Sequence, residues 1–409
     1  MTNDLAFAVE RDTRGRSRLA SAAAAASGAV IAGTLVTADG GFFPGSWRAA
    51  TLCFCALAGI GLLIPERVTV HTGELGLVAA LAALAAWIGL SALWSDDRGT
   101  SFLELERAVV YPLGVGALVL LAGRRLIPAV LIGIVAAVVA VAAYSVIADH
   151  EQASLQGPVG YANALGILCA MGLLLTLGFV LERRGLRLRA LALVVAIPLV
   201  AALVATGSRG AAVALVAGLV ATIPSRRTAI AVALLLAAAV VTAVAIRGVD
   251  IGDRPYYWRA ALEQFTEAPL GGTGAGTFAR HWPEHRPRDP GVLDTPDVLD
   301  AHSLYLESLA ELGPAGLALV LLAFGLPLAL RRRDALSAAV LPAYLAYLVH
   351  AGLDWDWEMP AVTLFGLACG VALVAGSGRR IRVAGVARLA VLLALVAAAT
   401  IEAVRLAAR

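Results

Sequence analysis

The chain has 409 residues, of which 60 % are hydrophobic and 15 % charged, and its mean hydropathy is +0.84. Soluble domains run about 45–50 % apolar and about 25 % charged, so the excess must face lipid, and the disordered, collagen-like and disulfide-scaffold classes are excluded. The formal net charge of +3 is carried without a single lysine, which excludes a Walker A phosphate loop, a Schiff-base lysine and a lysine general base.

Crossing the hydrocarbon core takes about 20 mainly apolar residues, and about thirteen segments fit an all-α, polytopic membrane protein. In chain order they are 19–38, 48–64, 74–94, 108–123, 126–148, 159–181, 189–206, 208–223, 228–247, 303–330, 335–353, 359–377 and 384–404. A charged stretch through Arg18 precedes the first, which reads as a retained span rather than a cleaved signal. Cys53, Cys55, Cys169 and Cys369 lie inside apolar runs, where thiols act as small hydrophobes. The breaks divide the chain into N-terminal spans (1–247), one long polar segment (248–301) and C-terminal spans (302–409).

Arginine clusters occur in alternate breaks: Arg11 to Arg18, Arg124/Arg125, Arg183 to Arg189, Arg226/Arg227, Arg331 to Arg333 and Arg379 to Arg382. The positive-inside rule assigns these to the cytoplasm. The opposite breaks carry Asp96/Asp97, Asp149 to Glu151 and Asp354/Asp356/Glu358, so the chemically varied loops lie outside. The last span holds Arg388 and is followed by Arg405 and Arg409, which sets it apart from the others.

Several polar residues at membrane level need a reason, because a buried charge there is costly. Arg209 sits in the tight outer turn Thr206-Gly207-Ser208-Arg209-Gly210-Ala211, as an anion site or a headgroup anchor. In the long outer segment, Asp253-Arg254-Pro255-Tyr256-Tyr257-Trp258-Arg259 offers two guanidinium forks beside an indole. This pattern suits a pyrophosphate cradle or an interfacial belt. Trp258, Ala261, Leu262 and Phe265 recur at helical spacing and predict an amphipathic helix with that apolar face. His302 opens the tenth span beside Asp300, Ser303 and Glu307, placed for a base or a helix cap, and Gly313-Pro314 predicts a bend beyond it.

The run His302-Ser303, nine residues, Gly313, two residues, Gly316 resembles the signature H-[NSQ]-x9-G-x2-G of the O-antigen ligase family. The Ser208-Arg209-Gly210-Ala211 turn also resembles that family, as do Arg254…Trp258…Ala261 with Pro269 to Phe278, Gly160 to Gly166 around Asn163, and His350…Asp354, in the same order. The resemblance spans roughly residues 90–370. It implies a GT-C-like membrane glycosyltransferase in the bacterial cytoplasmic membrane, its active site facing outward. It also implies a glycan moved from undecaprenyl pyrophosphate to an acceptor hydroxyl, without nucleotide sugar, cofactor or metal. By residue match, His302 is the implied base, Arg209 and Arg254 the pyrophosphate ligands, and Arg259, Trp258, Asn163 and Asp354 further substrate contacts. Such ligases are usually ascribed twelve spans, one fewer than predicted here.

Other readings compete. Asp354-Trp355-Asp356 with Glu358 has the form of a cation-binding carboxylate group. His281, Glu284, His285 and Asp289 form another, with Pro283 expected to prevent the regular i, i+4 helix. Gly271 to Gly276 lacks the βαβ context of a dinucleotide loop and reads as a pliable backbone segment approaching phosphate or sugar. Nucleic-acid binding lacks a basic soluble domain. A lipid-linked sugar transporter shares the architecture, but the one-sided placement of Arg, His and Asp favours an enzyme. The acceptor, and with it the choice between ligase and polymerase, is not written in these residues.

Overall fold

A computed structural model of the chain describes residues 2–149, 154–182, 185–223, 252–286 and 298–407, with side chains from residue 17 onward. Among the described residues the fold is all-α. Its helices are α1 (Thr2–Val36), α2 (Pro44–Leu63), α3 (Thr72–Ser91), α4 (Arg98–Leu121), α5 (Gly123–Ala148), α6 (Ala162–Glu182), α7 (Leu186–Thr206) and α8 (Arg209–Ala221). They continue with α9 (Arg254–Glu267), α10 (Phe278–His285), α11 (Leu304–Ala329), α12 (Ala335–Ala351), α13 (Pro360–Val374) and α14 (Gly385–Ala407). Eight of the described helices are long and apolar enough to cross a membrane, α14 among them. The expected span 228–247 lies outside the described residues.

Local chemistry sets the helix starts. Asp97 caps α4 by accepting from Thr100 N at 3.1 Å, Ser208 caps α8 through Ala211 N at 3.2 Å, and Asp334 caps α12 through Ser337 N at 3.1 Å. Such caps satisfy amide groups that have no partner within the helix. Small residues let helices approach closely. A Cβ on Gly178 would lie 2.0 Å from Ala339 O across the α6–α12 contact, and one on Gly133 would lie 1.9 Å from Ala25 O across α5–α1. Any side chain there would push the helices apart, which is why membrane packing favours glycine and alanine.

The helices sort by depth. In α6, 67 % of the membrane-length window is buried, against 17 % in α1 and α7 and 11 % in α14. α6, α12 and α13 therefore form the centre, and α1, α7 and α14 present apolar surface to the bilayer. The charge on α14 is matched locally: Arg405 pairs with Glu106 of α4, which also accepts from Arg48 Nε of α2 at 2.8 Å, and Arg48 faces Glu402 of α14 at 3.6 Å. This cluster explains how an arginine is tolerated near the end of an apolar helix.

Two ends follow from the connections. At one, β1 (Thr69–His71) pairs antiparallel with β2 (Arg380–Arg382), joining the α2–α3 and α13–α14 breaks. Arg124 there pairs with Asp334 and donates to Ala375 O at 2.6 Å, while Gly376 N donates to Glu74 at 2.8 Å. The other end gathers the starts of α4, α6, α8, α11 and α13 with α9 and α10. The described arginine-rich breaks meet at the first end, and Asp96, Asp354 and Asp356 stand at the second.

At that second end α9, α10 and the start of α11 form a small core of their own from Tyr257, Ala260, Ala261, Phe278, Trp282, Val298, Ala301 and Ala310. The expected amphipathic helix is present, but its inward face is Tyr257, Ala260, Ala261 and Gln264. Leu262 remains 46 % exposed. The face is turned by one residue because α9 is packed on α10 and α11, so protein contacts rather than a membrane surface decide which side is buried.

Candidate functional site

The polar residues at this end converge on Asp354, which follows α12 and whose side chain is fully buried. Its Oδ1 accepts from the Tyr161 hydroxyl at 2.8 Å and Trp355 N at 3.0 Å. Its Oδ2 accepts from Asn163 Nδ2 at 2.7 Å and Arg254 Nη2 at 2.5 Å. Arg254 is held a second time, donating from Nε to Leu353 O at 2.6 Å. Asn163, Arg254 and Asp354, separated by up to 191 residues, therefore form one contact set. Burial would push the Asp354 carboxyl up, but His350, Arg254 and His302 outweigh it and hold it below the usual carboxylate range. Burial pushes the Tyr161 phenol up, so its hydroxyl stays a donor to that carboxylate.

His302 lies beside this set, close enough to feel the fields of Asp354 and Arg254. Its backbone is left-handed at φ +54°, uncommon for a residue with a side chain and typical of functional positions. That conformation brings ring Nδ1 to 3.0 Å from the carbonyl two residues earlier, Asp300 O. A carbonyl only accepts, so Nδ1 carries the proton and Nε2 keeps the lone pair. The ring rests on Tyr257, with centroids 4.8 Å apart and planes tilted by 36°. Burial draws the imidazole below its ordinary value, and the pull of Asp354 in the other direction does not restore it. The result is a neutral ring with a defined basic nitrogen.

Arg209 is the first residue of α8 and is exposed. Its neighbour Gly210 lies against the His350 ring, where a Cβ would stand 3.1 Å from Cε1. His350 Nε2 is 2.9 Å from Asp356 Oδ2, both fully buried. Arg209 thus enters the same end of the molecule through the His350–Asp356 pair, two residues from Asp354. Arg259 stands apart: its side chain is 79 % exposed and bonded to Glu263 one turn along α9 at 2.8 Å. Trp258, beside Tyr257 on α9, is half-buried.

The aspartates of Asp354-Trp355-Asp356 do not converge on a shared cation position. Asp354 serves Arg254, Tyr161 and Asn163, Asp356 serves His350, and Glu358 turns to Arg107. Burial pushes the Asp356 carboxyl up, with His350 opposing. The first turns of α11 border a cavity of about 60 Å³ whose lining includes Glu104, Arg107, Glu307, Glu311 and Glu358. Carboxylate oxygens of Asp300, Glu307 and Glu358 come within 4.8 Å of one another, and Glu307 accepts from Ala301 N at 2.7 Å, fixing the residue before His302. Burial, with Glu358 adding to it, pushes the Asp300 carboxyl well up.

The glycine-rich segment is pinned rather than pliable. Gly272, Gly274 and Gly276 take positive φ, and the amides of Gly272, Thr273 and Gly274 donate to Ala268 O, Ala310 O and Glu311 O. Ala275 N donates to the Ser91 hydroxyl, and Gly276 N and Phe278 N to the two oxygens of Glu311 at 2.7 and 2.8 Å. With these donors committed, the segment is a structural plug against α11 and not a phosphate cradle. Gly313 explains the expected bend: it adopts φ 69° and ψ −173° within α11, and a Cβ there would lie 2.4 Å from Leu270 O.

The sequence pointed to no role for Tyr161, Tyr257, Arg107 or Glu104, and read Asp356 as a cation ligand rather than as the partner of His350. A phenol two residues before Asn163 and one inside the Arg254 segment were the available signals. The Glu104–Arg107–Glu358 group joins positions 251 residues apart and left no local pattern.

Residues 191–321 match the family model described as O-antigen ligase, a segment that holds Arg209, Arg254, the glycine-rich plug and His302. Among curated proteins none matches the chain.

Proposed function

Because the chain belongs to the O-antigen ligase family, we propose that it is a membrane glycosyltransferase moving a glycan from undecaprenyl pyrophosphate to an acceptor hydroxyl. The observation that carries this reading is the adjacency of one oriented imidazole to an anchored guanidinium at one end of the bundle. The reaction is a displacement at the anomeric carbon. The acceptor oxygen forms the new C–O bond, the bond from that carbon to the diphosphate oxygen breaks, and the electron pair leaves on undecaprenyl diphosphate. The acceptor proton goes to His302 Nε2, whose partner nitrogen already donates to a carbonyl. Positioned proton transfer of this kind contributes about 10²- to 10⁴-fold.

A diphosphate is a good leaving group and needs charge stabilisation more than a general acid. Arg254 and Arg209 supply it in this reading. Asp354 orients Arg254, and the depressed acidity range of Asp354 keeps it an anion for that purpose. Asn163 holds the same carboxylate, and Trp258 and Arg259 on α9 would contact the substrate farther out. No metal is assigned to the reaction centre, whose carboxylates are engaged by basic side chains. The arginine-bearing end supports a cytoplasmic orientation for β1 and β2 and an outward-facing His302.

The test is transfer by the purified protein with lipid-linked donor and, in turn, a lipid, a second lipid-linked glycan or a protein acceptor. A new glycosidic bond supports the reading, and the accepted partner distinguishes ligase from polymerase. Lipid-linked sugar moved across a vesicle membrane without bond formation would make the protein a transporter.

A further inference from the structure

On the face of α9 and α10 directed away from His302, two histidines and three carboxylates meet. His281 and His285 are one turn apart on α10, their rings parallel to within 9° with centroids 6.4 Å apart. Pro283 between them is accommodated inside the helix. His281 Nδ1 lies 3.2 Å from one oxygen of Glu267 on α9, and His285 Nε2 lies 3.2 Å from the other. The three ligand atoms fall within 4.8 Å of one another. Both nitrogens are buried and form no hydrogen bond with a described residue.

The remaining ring nitrogens face carboxylates on the outer side, His281 Nε2 within hydrogen-bond reach and His285 Nδ1 at ion-pair distance. His281 Nε2 is 3.1 Å from Asp96 Oδ2 and His285 Nδ1 is 3.4 Å from Glu263 Oε2. With protons on the nitrogens that face Asp96 and Glu263, each ring turns a bare lone pair toward the Glu267 carboxylate. Lone pairs facing a carboxylate repel unless a cation stands between them. Protonating both nitrogens would relieve this only through N–H bonds aimed at Glu267, and the geometry provides none.

We propose that His281, His285 and Glu267 bind one divalent transition-metal ion of the zinc type, with Asp96 and Glu263 as the carboxylates that orient the two imidazoles. Tetrahedral zinc has Zn–N and Zn–O bonds of about 2.0–2.2 Å, so neighbouring ligand atoms stand roughly 3.3–3.5 Å apart. Each ring nitrogen already stands at nearly that distance, 3.2 Å, from its own oxygen of Glu267. Imidazole with carboxylate suits zinc among the available ions, and carboxylates behind ligating histidines are the usual support. Glu267 is 43 % exposed, which leaves the fourth position to water. The ion would clasp α9, α10 and the α3–α4 break together. Trp282, between the two histidines, packs on Tyr257 at 5.1 Å, and Tyr257 carries the His302 ring. The site is therefore structural and does not depend on the proposed reaction.

The experiment uses the full chain in detergent, purified without a histidine tag, stripped with chelator and titrated with Zn²⁺ alone by calorimetry and elemental analysis. One Zn²⁺ per chain is expected, with affinity reduced at least 100-fold in the H281Q/H285Q double variant and about 10- to 100-fold in D96N. Co²⁺ substitution of the unaltered protein is expected to give the intense visible absorption of a four-coordinate ion. That readout holds even where the double variant fails to fold. Absence of stoichiometric uptake, uptake that H281Q/H285Q leaves unchanged, or a weak six-coordinate Co²⁺ spectrum would each overturn the proposal.

Discussion

The base role proposed for His302 rests on two features that act together, a left-handed backbone and a proton fixed on Nδ1 by Asp300 O. Asparagine tolerates the left-handed region better than most residues and has no basic nitrogen. His302→Asn is therefore expected to keep the fold and lower turnover by about 10²- to 10⁴-fold, measured as transfer rate beside unchanged binding of the lipid-linked donor. Because burial lowers the acidity range of the ring, it stays neutral to lower pH than a free imidazole. The acid limb of the pH–rate profile should thus fall below about pH 6.5; a limb at or above that value would mean that the ring is not the titrating base. Arg254→Ala should weaken donor binding as well as turnover, since it removes the guanidinium and leaves Asp354 buried beside Tyr161 and Asn163. Asp354→Asn should reduce turnover less, because Leu353 O still holds Arg254. Asn163, Arg254, His302 and Asp354 were legible as sequence motifs. Tyr257 and the Glu104–Arg107–Glu358 group were not, because stacking and long-range ion pairs leave no spacing to read.

Among the elements, α11 shows most clearly how backbone chemistry supports the site. Gly313 occupies a region of backbone space nearly exclusive to glycine, and its Cα hydrogens face Leu270 O of the pinned segment. Gly313→Ala should cost about 2 kcal/mol or more, read as a lower midpoint in thermal unfolding, together with reduced transfer. The expected bend at Gly313-Pro314 was legible because glycine and proline act locally. The plug role of Gly271 to Gly276 was not, since it depends on Glu311 and Ser91 from two other helices. The same holds for α9, whose periodicity predicted a helix correctly but whose buried face was set by α10 and α11. Pro283 misled for a related reason: a short helix closed by neighbours absorbs one missing amide bond.

At the scale of the whole molecule, the length of the apolar runs and the placement of arginine specified the polytopic fold, and twelve of the thirteen expected spans coincide with described helices. The charges of α14 became intelligible only through their partners on α2 and α4. Glu106→Ala would leave Arg48 buried without its nearest carboxylate and should destabilise by about 3–5 kcal/mol, seen as a lowered unfolding midpoint. Cysteine introduced at Arg280 should react with a membrane-impermeant thiol reagent applied to intact spheroplasts, and cysteine at Arg332 should not; the reverse pattern would place the site in the cytoplasm. The most direct measurement is glycan transfer by purified wild-type and His302→Asn protein, with donor binding followed in the same samples. Bond formation by the wild type alone, with both proteins binding the lipid-linked donor, is the predicted result. Equal transfer by the two would remove the imidazole from the reaction and contradict the account.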